Sequence, residues 1–379
     1  MVEESQGGGE LVTLRVTGGA NAYRLLDVGY AISLEHALDL LATSAPERVR
    51  PVRGEGAAMQ IPNPPVSVIL GTERLVIGGA PYDAEVAARI FDFGVVSLRV
   101  SIVASAGIGW EDFTRFGSAV DSHAEVPLLL EHHARLLFDR IRPAIDRPSM
   151  SPVREEYVVF RLRDAFGEND ARLTSDDFLS RVDVAPLLLN ESRPLARLAR
   201  AELLQHRFSY YEDDLTLVTW DNALVLDPDP VASDVEYILE FANAQLLELR
   251  YYDAILDAEI PKLYDRIEAA RSNRLRLFSR RFSNILGELQ RLFADSTELV
   301  ERVENSLKVT DDVYLSRVYL AALEIFRGRV WRAGVDRKLS LVRETYEMLN
   351  AESQAARSEA LEVSIVVLIV AEIVLALLR

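Results

Sequence analysis

The stretch that decides the fold of this chain is residues 360–378, ALEVSIVVLIVAEIVLALL, one residue from its end. From Val363 to Leu378 every residue is apolar except Ser364 and Glu372. A helix that is apolar on all sides needs either lipid or complete burial around it. We therefore predict a C-terminal transmembrane helix over residues 360–379.

Two features of this stretch leave a buried final helix open as an alternative. Sixteen helical residues, 363–378, rise about 24 Å, which is less than a hydrocarbon core of roughly 30 Å. Glu372 would lie near mid-membrane, where a carboxylate is costly unless it is paired or protonated. Pairing within a bundle lowers that cost, so Glu372 also favours oligomerisation. A third interpretation is a helical protein that buries this tail in a homo-oligomer.

The composition of the whole chain limits the remaining classes of protein. With 379 residues, of which 49% are hydrophobic and 27% charged, the chain has room for two domains. Its net charge of −17 argues against nucleic acid as a partner. The absence of cysteine excludes disulfides, thiolate metal sites and cysteine nucleophiles. The N-terminus, MVEESQGGGE, lacks the basic and apolar regions of a signal peptide, so we expect the bulk of the protein in the cytoplasm, with a single membrane pass.

The pattern along the chain predicts four segments. Residues 1–10 are acidic and glycine-rich, and we expect them to be disordered. Residues 11–230 mix strand and helix patterns and predict an α+β globular domain, either as one body or as two halves. Residues 231–359 predict a three-helix antiparallel stalk, because proline-rich DPDP precedes a series of long helical patterns. Residues 360–379 complete the prediction as the transmembrane helix.

Several local patterns define elements within the α+β domain. Ser33 predicts the cap of a helix that ends near Leu41, and Thr174 a second cap. Residues 11–16 predict a strand that ends at Gly18-Gly19. Residues 83–91 have helical periodicity. The alternating runs in HRFSYYEDDLTLVTWDNALVL, residues 206–226, predict a three-stranded meander.

The predicted stalk carries a hydrophobic seam and a set of polar residues. The seam is spaced by alternating steps of four and three, as in a coiled coil, and comprises Val335, Leu339, Val342, Tyr346 and Leu349. The first stalk helix carries a capping box, Ser233 and Glu236. Polar side chains that share this helix with large apolar residues predict a buried network that fixes the register of the stalk: Asn243, Glu248, Arg250 and Asp253, opposed by Glu324, Arg327 or Arg329. The alternative is a solvated stripe.

A basic run, RLRLFSRRF, follows in the second stalk helix. If this helix folds back antiparallel, the run lies near the membrane and meets anionic headgroups. The members of this basic corner are Arg271, Arg274, Arg280 and Arg281. The alternative is pairing with Glu344, Glu347 and Glu352 on the adjacent helix.

No motif in the sequence identifies a reaction. No glycine is followed by lysine, which excludes the Walker pattern, and no G-x-S-x-G elbow is present. Adjacent His132 and His133 have no H-E-x-x-H spacing. We therefore predict no catalytic, metal or cofactor residues. The competing hypothesis is an enzyme with its site in the α+β domain, in a cleft near Trp110, Glu111 and Asp112; a polar pocket with displaced pKa values there would favour it.

The C-terminal sequence resembles a known family. IFRGRVWRAGVDRKLSLVRETYEML, residues 325–349, followed by RSEALEVSIVVLIVAEIVL, residues 357–375, is similar to the C-terminal end of the required-for-meiotic-nuclear-division family. That pattern is an arginine-punctuated helix, a leucine-rich helix, and Leu-Glu before an isoleucine-rich span with a late Glu, here Leu361-Glu362 and Glu372-Ile373. FDFGVVSL, residues 91–98, resembles the core strand of the family. The resemblance implies a membrane-anchored protein without established catalysis. The mitochondrial members of the family support organellar translation at the inner membrane.

These observations together predict a tail-anchored membrane scaffold or recruitment protein that self-associates. Its expected partners are membrane lipid, further copies of the same chain and an unidentified protein. The alternative is an enzyme of unknown reaction with its site in the α+β domain.

Overall fold

The computed structural model describes residues 14–44, 47–48, 63–167, 170–191, 193–228, 234–271 and 312–378, with single positions at 287, 290 and 294. The chain divides into two compact units. The first comprises Met1–Glu248 and Leu307–Gly328, and the second comprises Leu249–Ser306 and Arg329–Arg379. The first unit thus extends past the domain boundary predicted near residue 230.

The first unit is built on a mixed β-sheet. The described strands are β1 Arg15–Asp27, β2 Ala31–Ile32, β3 Glu47–Arg48, β4 Val66–Ile77, β5 Ala80–Ile90, β6 Val95–Val103, β7 Ile108–Gly109, β8 Ile145–Asp146, β9 Arg154–Phe166, β10 Arg207–Phe208, β11 Leu215–Val218 and β12 Asn222–Leu226. The main sheet has the order β10-β11-β12-β9-β1-β6-β5-β4-β3, with β7 paired to β1. Its neighbouring strands are antiparallel except β9 and β12, which are parallel. Strands β2 and β8 form a separate ladder.

Helices pack on both faces of the sheet. The described α-helices are α1 Leu34–Leu41, α2 Trp110–Asp121, α3 Glu125–Ile141, α4 Ser175–Arg181, α5 Ala185–Leu188, α6 Arg197–Leu203, α7 Asp234–Arg271, α8 Val313–Ile325 and α9 Gly328–Leu377. Helix α7 begins in the first unit and continues into the second, whereas α8 belongs to the first unit and all of α9 after Gly328 belongs to the second.

The main hydrophobic core lies on one face of the sheet. Successive side chains of a strand point to opposite faces, so Val16, Ala20, Ala22 and Leu26 of β1 share one face. They belong to a buried cluster that also contains Leu34 of α1, Phe113 of α2 and Leu130 of α3. Alternation along the central strand thus supplies an apolar surface for the first three helices.

The other face of the same strand is more polar, and it receives α7. Asn21 and Tyr23 of β1 contact Glu236 of α7. Phe241 of α7 lies between aromatic rings, 6.0 Å from Phe91 and 6.1 Å from Tyr319 of α8, measured between ring centroids. This face therefore combines aromatic packing with buried polar contacts.

The second unit has a hydrophobic cluster of its own. Four seam residues of α9, namely Val335, Leu339, Val342 and Leu349, are buried against Tyr252, Leu256, Leu263 and Ile267 of α7. Tyr346 packs at the edge of this cluster. The spacing of the seam by fours and threes keeps these side chains on one side of α9.

The predicted transmembrane helix is wrong. Among the described residues, none of the helices combines the length and the apolar character that a membrane crossing requires. The physical reason is that the apolar run is short and is interrupted by Glu372, while α9 before it is rich in charge. The predicted fold class is corrected accordingly to a mixed-sheet domain followed by helices. The membrane, tail-anchored and single-pass assignments of the protein are wrong for the same reason.

Local predictions had mixed outcomes. Ser33 accepts a hydrogen bond from the backbone N–H of His36 and Thr174 from that of Asp177, which confirms both caps. The predicted meander is confirmed as β10, β11 and β12. The helix predicted over residues 83–91 is wrong, because β5 occupies that segment. The strand break predicted at Gly18-Gly19 is also wrong, since β1 runs through both glycines.

Gly94 in the turn between β5 and β6 gives a test of this architecture. Its φ is +95°, and a Cβ atom there would overlap the carbonyl oxygen of Gly29. We expect Gly94→Ala to lower the free energy of unfolding by at least about 2 kcal/mol, because strain and overlap add. Urea unfolding measures the change.

Gly107→Ala is the matched control, because its φ is +66° and a Cβ atom there would have nothing within 4 Å. It carries the cost of positive φ alone, on the order of 1 kcal/mol. Equal costs for the two variants would contradict the close approach of Gly94 to Gly29.

Candidate functional site

The first half of α7 is buried along its whole circumference. Every residue from 234 to 249 is buried, whereas Arg250 is half-buried. The buried polar residues of this segment are Asp234, Glu236, Glu240, Asn243, Gln245 and Glu248. Burying a charge is costly unless it is paired and hydrogen-bonded, so these residues require partners on the sheet or on α8.

Glu236 is held by two residues of β1. The Asn21 side-chain amide and the Tyr23 hydroxyl both donate hydrogen bonds to Glu236 Oε1. Burial raises the pKa of Tyr23 well above its ordinary value, and the nearby Glu236 adds to this effect. Burial opposes the charge of Arg99 on β6, but Tyr23, Glu236 and Glu240 outweigh it and raise the pKa of Arg99. Tyr23 is therefore held neutral and Arg99 charged in this buried group.

Arg89 of β5 pairs with Glu240, one turn further along α7. Arg89 Nη1 donates to Glu240 Oε2, and the two side chains are only 12% and 4% exposed. The guanidinium carbon of Arg89 also lies 4.7 Å from the ring centre of Tyr237. A buried pair of this kind fixes geometry, since removing one partner leaves the other charge without compensation.

Two carboxyl groups meet at the far end of this segment. Asp27 at the end of β1 and Glu248 of α7 are each 1% exposed, and their side chains share a hydrogen bond. Burial raises the pKa of Asp27 from 3.8 to about 7, although hydrogen bonds from Glu248 and the Gly29 backbone lower it in part. A hydrogen bond between two carboxyl groups requires one of them to carry a proton. The pair therefore holds a proton that a solvent-exposed aspartate would release.

We call this set of residues the polar layer: Asn21, Tyr23, Asp27, Arg89, Arg99, Glu236, Glu240 and Glu248. Most of its side chains are closed to solvent. The layer therefore fixes the position of α7 against the sheet.

The predicted stalk network has its members in two places. In the first unit, the Asn243 amide donates to the Leu239 carbonyl of its own helix, 2.9 Å away, and Glu248 faces Asp27. In the second unit, the Arg250 guanidinium lies 5.6 Å from the ring centre of Trp331. Asp253, also in the second unit, accepts a hydrogen bond from Lys338 Nζ at 2.7 Å.

Of the three proposed opposing residues, Arg327 contacts a residue outside the network. Arg327, with a positive φ of 53° between α8 and α9, places its guanidinium 5.6 Å from the Trp220 ring. Glu324 and Arg329 each make at least one interaction. Arg274, Arg280 and Arg281 of the predicted basic corner lie outside the described residues. Arg271 is the last residue of α7, and its side chain lies outside them too.

The cleft predicted for an enzyme site consists of a packed ring and two surface carboxylates. Trp110 lies edge-on to Phe178, 5.2 Å between ring centroids, and its Nε1 donates to the Asp183 carbonyl. Glu111 and Asp112 are exposed in the first turn of α2, where Asp112 pairs with Arg115. Acidic side chains in the first turn of a helix interact favourably with the positive end of the helix dipole. This interaction is sufficient to explain both carboxylates.

The end of α9 has the longest run of exposed apolar residues in the described part of the chain. Each residue from Leu361 to Leu378 is exposed, with Val363 at 62% and Leu378 at 80%. Glu372 is exposed within the same segment. We call residues 361–378, which comprise the last part of α9 and the residue after it, the apolar end of α9. Contiguous apolar surfaces of this size mark interaction sites in folded proteins.

Metal ligation has no support in the described part of the chain, where no group of three or more His, Asp or Glu side chains could hold an ion. His133 is buried, with its Nε2 3.5 Å from Glu73 Oε1.

Sequence reasoning missed most of the polar layer. Asp27, Arg89 and Arg99 were available as charges that interrupt apolar strand runs, a signal that buried partners exist. Glu236 was interpreted as half of a capping box, whereas its carboxylate accepts from Asn21 and Tyr23. Identifying these partners requires knowing which strands lie under α7.

Comparison with known families places the chain by its sheet domain. Residues 17–233 match the family described as "Uncharacterized protein MJ0711, N-terminal domain". Because this match covers more than half of the chain, the protein belongs to that family. A similar protein is the uncharacterized protein MJ0711 of Methanocaldococcus jannaschii, which is 25% identical over 243 residues, covering 64% of this chain and 72% of the relative. No solved structure matches.

The predicted kinship with the required-for-meiotic-nuclear-division family is wrong. The family match lies in residues 17–233, whereas the resemblance depended on the last sixty or so residues. Spaced arginines followed by leucines and an apolar run are common to long amphipathic helices that end in an apolar segment. Such a pattern therefore does not specify a family.

The Asp27–Glu248 pair predicts an unusual dependence of stability on pH. The folded protein keeps the proton of Asp27 up to about pH 7, whereas the unfolded chain releases it near the ordinary pKa of 3.8. Between these values the folded state binds more protons, so this group lowers stability as pH rises. Asp27→Asn removes the effect, because the amide mimics the protonated acid. We expect the variant to gain on the order of 3 kcal/mol relative to wild type between pH 4.5 and pH 8.

Urea unfolding at the two pH values measures this gain. Asp83→Asn, at an exposed position of β5, is the control and should follow the wild type. Parallel pH profiles for wild type and Asp27→Asn would show that Asp27 titrates normally.

Breaking the Arg89–Glu240 pair should cause a large loss of stability, and a second substitution should recover part of that loss. Arg89→Met leaves Glu240 buried and unpaired, and should cost about 3–5 kcal/mol in the free energy of unfolding. Adding Glu240→Leu should recover much of that loss. Arg343→Met, which breaks an exposed pair with Glu347, is the control and should cost less than about 1 kcal/mol. Similar losses for the two arginine variants would remove the case for a polar layer that holds α7.

Proposed function

We propose that this protein is a non-catalytic assembly protein, which self-associates through the apolar end of α9. Association brings together several copies of the sheet domain. One observation carries the proposal: thirteen large apolar side chains between Leu361 and Leu378 are each between 48% and 80% exposed.

The size of this surface suits a stable interface. Full burial of a Val, Leu or Ile side chain removes roughly 60–120 Å² of apolar area from water. Pooled over the exposed side chains of the apolar end, this amounts to on the order of 700 Å², close to the ~800 Å² that one partner buries in a standard interface. A bundle of several identical helices covers more of each circumference than a pair does.

Further copies of the same chain are the occupant that this chemistry favours. The apolar end has no basic residue, and Glu372 is its one acidic residue after Glu362, so charge complementarity offers little to a different partner. A self-complementary surface needs only matched apolar shape, which identical helices supply by symmetry. Carboxylates of neighbouring copies of Glu372 can share protons, as like charges in one site do.

The net charge of −17 opposes association at long range. Salt screens this repulsion, with a Debye length of about 8 Å at 0.15 M ionic strength. Association driven by the apolar end should therefore strengthen as salt is raised from 20 to 300 mM. An interface held by ion pairs would weaken instead.

The enzyme alternative draws less support from the same side chains. The residues suggested for its cleft are a packed tryptophan and carboxylates on the surface. The polar layer contains charged groups, but its carboxylates are buried.

Sedimentation velocity of the full chain in 0.15 M salt tests the proposal. We expect the wild type to be oligomeric at micromolar concentration. Leu368→Lys, at a position that is 68% exposed, should weaken association at least roughly tenfold, because the interface would bury an unpaired charge.

Leu198→Lys in α6 is the matched control, since Leu198 is 71% exposed and lies outside the apolar end. This variant should associate like the wild type. A monomeric wild type at 100 μM, or equal effects of the two lysines, would contradict self-association through the apolar end.

A further inference from the structure

An open cavity of about 470 Å³ lies in the first unit, beside the short strand β10. Its volume is within the range of small-molecule sites, ~300–1,000 Å³. Residues from β10, the following turn, α4 and α8 line it. It belongs neither to the polar layer nor to the apolar end of α9.

Local hydrogen bonds hold the wall of this cavity in place. The Asp214 side chain, which is buried, accepts from the Tyr210 backbone N–H at 2.7 Å. The Ser209 hydroxyl donates to the Asp214 carbonyl at 2.7 Å. The Ser175 N–H donates to the Glu212 carbonyl at 2.8 Å, which ties the start of α4 to the same turn. The turn is therefore a built wall of the cavity.

Aromatic rings form part of the lining. Tyr210 and Tyr211 are 62% and 58% exposed, whereas tyrosine side chains are usually partly buried. Tyr210 lies edge-on to Tyr211, 4.9 Å between ring centroids, and 5.6 Å from Tyr314 of α8. Exposed ring faces of this kind stack on planar ligands such as nucleobases.

Charged groups of both signs lie around the rings. Arg207 and Arg317 line the cavity, and Arg317 is one helical turn from Tyr314 on the same side of α8. Arg207 is 3.8 Å from Asp176, whose side chain is 90% exposed, so this pair is open to exchange. Arginine recognises phosphate through paired N–H donors.

The carboxylates decide which anion suits the site. Asp176 and Glu212 also line the cavity, and they would repel a bare polyanion. Carboxylates accept hydrogen bonds from ribose hydroxyls in nucleotide sites. The base, the sugar and the phosphate of a nucleotide thus each have a matching group in the lining of the cavity.

We propose that this cavity binds a mononucleotide. The base stacks on Tyr211, the ribose hydroxyls donate to Asp176 or Glu212, and the phosphate binds Arg207 and Arg317. The site is independent of self-association, so the two proposals stand or fall separately.

Isothermal titration of the full chain with AMP, adenosine and inorganic phosphate tests the assignment. We expect one AMP per chain with a Kd below ~1 mM, and weaker binding of both fragments. Arg317→Ala should weaken AMP binding roughly tenfold or more, because a charged hydrogen bond is lost. Tyr211→Ala should weaken it about fivefold or more through lost stacking.

Two exposed residues outside the cavity serve as controls. Arg115→Ala and Tyr264→Ala remove the same side-chain types and should leave AMP binding unchanged. Circular dichroism and thermal unfolding of each variant show that the fold persists. Absence of AMP binding, AMP binding no tighter than phosphate, unchanged AMP binding by Arg317→Ala and Tyr211→Ala, or binding of a five-nucleotide RNA without AMP would each overturn the assignment.

Discussion

The structure of the first unit depends on one constraint: charges buried beneath α7 must meet their partners. Glu236, Glu240 and Glu248 are spaced by four and eight residues, so they follow one another along α7. Their respective partners on the sheet are Tyr23, Arg89 and Asp27. A shift of α7 by one turn would separate Asp27 from Glu248 and would leave either Tyr23 or Arg89 without a carboxylate. Apolar packing alone would tolerate such a shift far better, so the polar layer gives the helix a single position.

The two units differ in how far their apolar surfaces are buried. The sheet buries an apolar face under α1, α2 and α3, and a polar face under α7, within one unit. In the second unit, α9 covers its seam against α7 but leaves residues 361–378 exposed. The seam is covered within the second unit, whereas the apolar end is exposed. The proposed self-association would cover the apolar end with further copies of the same chain, and the cavity proposed to bind a nucleotide lies in the first unit.

Much of the local structure was predictable because it depends on neighbouring residues. The caps at Ser33 and Thr174, and the meander over residues 206–226, follow from short-range hydrogen bonding and alternation. Residues 83–91 were not predictable in this way. Ala84, Val86, Ala88 and Ile90 alternate as buried positions of β5, but alanine favours helices, so local propensity pointed to a helix. Pairing with β4 and β6 decided the outcome. Gly18 and Gly19 likewise continue β1, because β6 and β9 approach closely on both sides.

The sequence by itself determined the meander over residues 206–226, the helix caps, the seam of α9 and the presence of an apolar end, because each depends on residues close together in the chain. It also contained every charge of the polar layer, but it could not assign their partners, which are separated by up to 221 residues, as Asp27 and Glu248 are. The tertiary structure alone decided that α7 lies on the sheet, that Tyr210, Tyr211 and Arg317 border one cavity, and that the apolar end stays uncovered within the chain. These outcomes depend on which distant surfaces meet, and that is a property of the packed chain, which no short stretch of sequence encodes.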